Sequence, residues 1–125
     1  MKGCDNQRKI LLVDDDYANQ ILINELLEHL DVNIIECNCG KEAMEGFKQY
    51  TNDIALVLLD IKLPDCKGWD LCKQLRLVND RMPIIAMSAL QPSELARHYK
   101  AAGFTTYISK PFDMVEFVEM VSAYV

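Results

Sequence analysis

The chain is 125 residues long, 50% apolar and 26% charged, which fits one globular domain burying a single core without staples. A net charge of −6 gives a nucleic-acid partner no electrostatic support. No apolar run approaches a membrane span and MKGCDNQRK has no signal-peptide core, so a cytosolic location is expected.

The pattern then alternates strand-like and helix-like stretches. Residues 1–8 form a polar lead-in, and 9–125 read as one domain. Ile10–Val13 is wholly apolar, as a strand buried on both faces requires. Tyr17–Leu30 follows as a helix, with Ile23, Leu26, Leu27 and Leu30 on one side and Asp16 as its cap. Asn33–Cys37 reads as a second strand, and Gly40 opens a helix carrying Ala43, Met44, Phe47 and Tyr50. Ile54–Leu59 is the most apolar strand and is expected at the centre. After the loop KLPDCKG comes a helix over Trp69–Leu77, with Leu71, Cys72 and Leu75 inward. Pro83–Met87 is the fourth strand, its proline at the first position. Ser93-Glu94 starts a helix that Gly103 stops. Phe104–Ser109 is a shorter fifth strand, and Phe112–Tyr124 a last helix with Val115, Val118 and Val121 inward. Repeated βα units imply a parallel sheet with right-handed crossovers.

Five polar residues stand just past these strands: Asp14 and Asp15 after ILLV, Asp60 after IALVLL, Ser88 after PIIAM, and Lys110 after TYIS. In an open parallel sheet the C-terminal strand ends share one edge, where ligands bind. Three carboxylates crowded there repel one another unless a cation sits among them, and oxygen ligands favour a hard ion such as Mg2+. A carboxylate beside that ion can attack phosphorus, with Lys110 and the Ser88 hydroxyl neutralising phosphoryl oxygens. Asp60, after the most apolar strand, is the nucleophile of choice. Each residue alone has a bland reading, as a helix cap, a strand-end serine or a solvated lysine. Together, at five strand ends, they do not read as coincidence. The five cysteines (Cys4, Cys37, Cys39, Cys66, Cys72) show no metal or disulfide spacing, and only His29 and His98 are available as histidine ligands; reduced thiols are expected.

The segments ILLVDDD, LVLLDIKLPDCKG, PIIAMSA and TYISKPF, in that order, resemble the receiver domains of two-component response regulators. The resemblance implies a flavodoxin-like (βα)5 fold: a doubly wound, five-stranded parallel sheet of order 2-1-3-4-5. It implies that Asp60 accepts a phosphoryl group from a histidine kinase or histidine phosphotransfer protein. Asp14, Asp15, Asp60 and the Lys62 backbone carbonyl would hold Mg2+, with Mn2+ as a substitute. Lys110 would pair with the phosphoryl group, through a cis peptide to Pro111. Ser88 would hydrogen-bond a phosphoryl oxygen, and Tyr107 would be the switch aromatic that turns inward with it. Such a domain is a phosphoacceptor signalling module rather than an enzyme, either stand-alone or part of a hybrid histidine kinase or larger regulator. The Tyr99, Tyr107 and Val115–Tyr124 face would carry output, including phosphorylation-dependent self-association through the last two helices.

The chain departs from the commonest family pattern at Ser88, for the more frequent threonine, and at Lys62 and Leu90 beside the acceptor and the hydroxyl. A haloacid-dehalogenase-like phosphatase is the alternative, since Asp14-Asp15-Asp16 contains its Asp-x-Asp spacing. Ala18 stands where that motif wants threonine or valine, and no acidic metal motif follows Lys110. Nucleotide-binding glycine loops are absent from the sequence. A docking module without phosphorylation would normally have lost one of the site residues.

Overall fold

The computed structural model describes residues 8–90 and 92–125. The polar lead-in 1–7, with Cys4, lies outside the described residues. Strands β1 (Arg8–Val13), β2 (Val32–Cys37), β3 (Ile54–Asp60), β4 (Ile84–Ser88) and β5 (Thr106–Ser109) alternate with helices. These are α1 (Tyr17–Leu26), α2 (Gly40–Gln49), α3 (Gly68–Val78), α4 (Pro92–Ala102) and α5 (Met114–Ser122). All strand pairings are parallel, in the order β2-β1-β3-β4-β5. This is the expected flavodoxin-like fold, with β3 in the middle.

The period-2 alternation of the central strands divides the core into two. Leu11, Val13, Val57, Leu59, Ile84 and Ala86 face α2, α3 and α4, meeting Phe47, Leu71, Leu75 and Leu95. Ile10, Leu12, Leu56, Leu58, Ile85 and Met87 face the other way, onto Ile23 and Leu27 of the first helical segment and Phe117 and Val121 of α5. Apolar residues on both faces explain why these strands read as continuous apolar runs.

Helix ends follow from local chemistry. The Asp16 carboxylate accepts the Ala18 and Asn19 amides at 3.0 and 3.4 Å, and Asp113 accepts the Glu116 amide at 2.9 Å. Cys39 offers α2 no side-chain cap. Asp65, in the β3–α3 loop, accepts the Gly40 and Lys41 amides instead, at 2.8 and 3.0 Å. Those amides hold its carboxyl below the usual range. Gly103 ends α4 with φ +93°, a conformation that L side chains avoid.

Two expectations need correction. The first helix stops at Leu26, not Leu30, because the Glu28 and Leu30 amides turn back three residues to Glu25 and Leu27. Apolar spacing does not distinguish such a tightened turn from a continued α-helix. Val115 is 66% exposed rather than inward. At roughly 100° per residue it lies about 200° round the helix from Phe117, on which the buried face is centred. Across the α3–α4 seam, Trp69 stacks on His98 with ring centroids 3.9 Å apart and planes 11° from parallel.

Candidate functional site

The strand ends converge as the topology requires. Asp14 extends β1, its amide donating to the Cys37 carbonyl at 3.0 Å. Asp60 closes β3 and Ser88 closes β4. Lys110 follows β5, with its amide donating to the Ser88 carbonyl at 2.8 Å. The chain then passes through a cis Lys110–Pro111 peptide, as the resemblance implied. Between these ends opens a cleft of about 250 Å³, lined by Asp15, Asp16, Asp60, Ile61, Lys62, Ser88, Ala89, Leu90 and Lys110.

Gly68 packs against the backbone of two residues that line the cleft, Asp60 and Ile61. Its amide donates to the Ile61 carbonyl at 2.7 Å. A Cβ there would stand 2.5 Å from the Asp60 carbonyl oxygen and 2.7 Å from Ile61 Cα. Only a residue without a side chain lets α3 start against the Asp60 backbone. The sequence marked Gly68 as a turn; the close approach emerges from the folded chain.

The charges are arranged around one cation. Lys110 Nζ lies 2.8 Å from Asp60 Oδ2 and 3.4 Å from Asp14 Oδ2. Burial pushes the Asp60 carboxyl above the usual carboxylate range, outweighing the Lys110 hydrogen bond and charge, and the Asp14 charge adds to the rise. Burial works to lower the Lys110 ammonium, yet the Asp60 hydrogen bond and the two carboxylate charges raise it above its ordinary value. Lys110 is therefore a fixed positive charge at neutral pH.

One oxygen from each of Asp14, Asp15 and Asp60 can be chosen so that all lie within 4.8 Å of one another. Asp14 is buried, Asp60 nearly so, and Asp15 exposed. Three carboxylates against a single ammonium leave an excess of negative charge, and the donor set is all oxygen. The site fits a hard divalent cation.

The Ser88 hydroxyl accepts the Leu90 amide at 2.9 Å, which leaves its own hydrogen free to donate. Lys62 lines the cleft and is exposed, its amide donating to Asp60 Oδ1 at 3.1 Å. Tyr107 stands apart from the cleft, 38% exposed, edge-on to Tyr99 with centroids 5.6 Å apart. The described cysteines Cys37, Cys39, Cys66 and Cys72 are free, as expected. Burial pushes the Cys37 thiol up to about 12 and those of Cys66 and Cys72 up to about 11.

Two functional-site neighbours were not singled out in the sequence. The Asn19 side-chain amide donates to Asp14 Oδ2. The Gln20 amide donates to the Asp14 carbonyl at 2.6 Å and to Asn38 Oδ1 at 2.9 Å. Gln20 sits three and seven residues before Ile23 and Leu27, an inward position filled by a polar side chain. That interruption of the apolar stripe was the available signal.

Known proteins share this fold. The family described as response regulator receiver domain matches residues 10–122. Sporulation initiation phosphotransferase F of Bacillus subtilis is 31% identical over 116 residues, covering 93% of this chain and 92% of that protein. The transcriptional regulatory protein CrdR of Helicobacter pylori is 34% identical, covering 88% of this chain and 51% of its own length. The chain thus spans about half the length of such transcriptional regulators. A two-component response regulator from Clostridium difficile superposes with a TM-score of 0.84 at 30% identity, covering 94% and 95% of the two chains. With its fold, converging strand ends and matched segments all in agreement, the chain belongs to the response regulator receiver domains.

Proposed function

We propose that Asp60 is the phosphoacceptor of this receiver domain. The observation that carries the reading is the grouping of Asp60 with Asp14 and Asp15 at the C-terminal edge of the sheet, with Lys110 paired to Asp60 and Asp14. A phosphohistidine on a histidine kinase or histidine phosphotransfer domain is the donor. The Asp60 carboxylate attacks phosphorus, the P–N bond to the imidazole breaks, and an acyl phosphate forms. Lys110 stays protonated and pairs with the transferred group. The Ser88 hydroxyl donates its free hydrogen to a phosphoryl oxygen while still holding the Leu90 amide. Asp14, Asp15, Asp60 and the Lys62 carbonyl hold Mg2+, or Mn2+ in its place, which supplies charge neutralisation for the phosphoryl oxygens.

The module transfers phosphoryl groups only to and from itself, so it is a switch rather than an enzyme with a separate substrate. Readout runs through the Ser88–Leu90 loop into α4 and to Tyr107, which turns from its exposed position toward the core, with the last two helices as the self-association face. A cytoplasmic site of action fits the phosphodonors proposed. Among the described residues no helix is long and apolar enough to cross a membrane. The haloacid-dehalogenase-like alternative is not favoured, since the receiver family accounts for nearly the whole chain.

The test is intact-protein mass after incubation with phosphoramidate, with and without Mg2+, on wild type and Asp60→Asn. One Mg2+-dependent phosphoryl adduct, lost in the variant and released by hydroxylamine, is the expected result. An adduct that persists in Asp60→Asn places the acceptor elsewhere.

A further inference from the structure

We infer that Asn19 is a positioning residue that keeps Lys110 committed to Asp60, an assignment resting on the phosphoacceptor reading above. Lys110 has two carboxylates to choose from, Asp60 Oδ2 at 2.8 Å and Asp14 Oδ2 at 3.4 Å. Asp14 is the more deeply buried of the two, so on desolvation alone it has the stronger need for a cationic partner. Something else satisfies it. Its Oδ1 accepts the Asp16 amide at 2.9 Å, and its Oδ2 accepts the Asn19 side-chain amide. Gln20 fixes the same residue from behind through the Asp14 carbonyl. Asp14 therefore enters the site with both oxygens already engaged, and the ammonium stays nearer the acceptor.

Asn19 does this without touching the reacting atoms. The cleft is lined by residues from Asp15 and Asp16 round to Lys110, whereas Asn19 reaches Asp14 from the first turn of α1. Nor is its helix short of other support. The α1 N-terminus is capped by Asp16, and Ile23 and Leu27 anchor this segment in the core. Removing the Asn19 amide leaves Asp14 Oδ2 with one partner, Lys110 Nζ, which closes the remaining distance and withdraws from Asp60. A lysine held by Asp14 is displaced from where the phosphoryl group on Asp60 has to be met.

Asn19→Leu, of similar branching and without a donor, is the decisive variant. Initial phosphorylation rates with phosphoramidate are measured against Mg2+ concentration for wild type, Asn19→Leu, Lys110→Ala and the double variant. The maximal rate of Asn19→Leu is expected to fall about tenfold, the scale of one hydrogen bond to a charged group. In the Lys110→Ala background the same substitution should change little, because its effect passes through the missing ammonium. A fall of equal size in both backgrounds, or none in either, overturns the inference. A metal-free crystal structure of Asn19→Leu supplies a readout independent of turnover. It should show Lys110 Nζ nearer Asp14 than Asp60; an unmoved lysine refutes the assignment. Absence of any adduct in wild type counts against the phosphoacceptor reading, and the lysine position in that crystal then still decides the role of Asn19.

Discussion

The fold does not favour the ionised form of Asp60. Its carboxyl lies above the usual range because burial outweighs the Lys110 ion pair, so the fold prefers it protonated. The stability it contributes is present below the carboxyl value of the unfolded chain and is lost as pH rises through the raised folded value. Asp60→Asn, which carries no charge at any pH, should melt a few degrees higher than wild type at pH 7 in metal-free buffer. The gap should close toward pH 4 in a thermal-denaturation series; a variant that melts lower at pH 7 would mean that the ion pair dominates. Lys62 gives a second prediction. Its exposed side chain lines the cleft beside Asp60, and the effect expected of it is on the attacking water rather than on the donor. Lys62→Met should change the decay rate of the phosphoform severalfold while leaving the phosphorylation rate within about twofold, the spread usual for surface substitutions of about 0.5 kcal/mol. Matching decay curves for the two proteins would remove any role for Lys62.

At the scale of elements, the β3–α3 connection does most to shape the site. Its two ends are fixed by contacts of different kinds, the Gly68 backbone pressed on Asp60 and Ile61, and the Asp65 carboxylate capping α2. Gly68→Ala drives a methyl group into backbone that has no room to yield, at a cost of about 2–3 kcal/mol. Chemical denaturation should read that loss as a lower midpoint at unchanged slope, and an unaffected midpoint would show that α3 can slide away from the acceptor strand. The sequence foretold that these strand-end residues converge but not what supports them. Strand-end positions could be read because apolar runs end abruptly at Asp14, Asp60 and Ser88, and because parallel topology gathers such ends. Gly68 against Asp60, Asp65 across to Gly40 and Gln20 across to Asn38 are contacts between residues distant along the chain, and spacing carries no record of them. The two helix corrections have the same origin. Period alone assigned Leu30 and Val115 to buried α-helical faces. A tightened turn after Leu26 and the Phe117–Val121 packing face decided otherwise.

For the whole molecule, the site is one side of a thermodynamic linkage. An ion held by Asp14, Asp15 and Asp60 binds only the folded chain, so Mg2+ at a hundredfold excess over Kd should stabilise it by about 2.7 kcal/mol. Asp15→Asn, which removes an exposed carboxylate of the proposed ligand set without touching either core, should lose most of that gain while matching wild type in chelator. Calorimetric melts with Mg2+ and with EDTA make the comparison, and equal Mg2+ gains in both proteins would exclude Asp15 from the ligand set. The sheet that carries the site is packed on both faces, so its strand ends are held by two cores at once. Over the first of these cores, the Trp69–His98 stack bridges the helix that begins against Asp60 and the helix that follows the Ser88 loop. The chain has one tryptophan, so its indole emission comes from that seam alone. An imidazole lies face to face with that ring, and any slippage of α4 along α3 changes their overlap and with it the surroundings of the indole. The domain therefore carries a built-in optical gauge of the α3–α4 seam, readable in solution without labels.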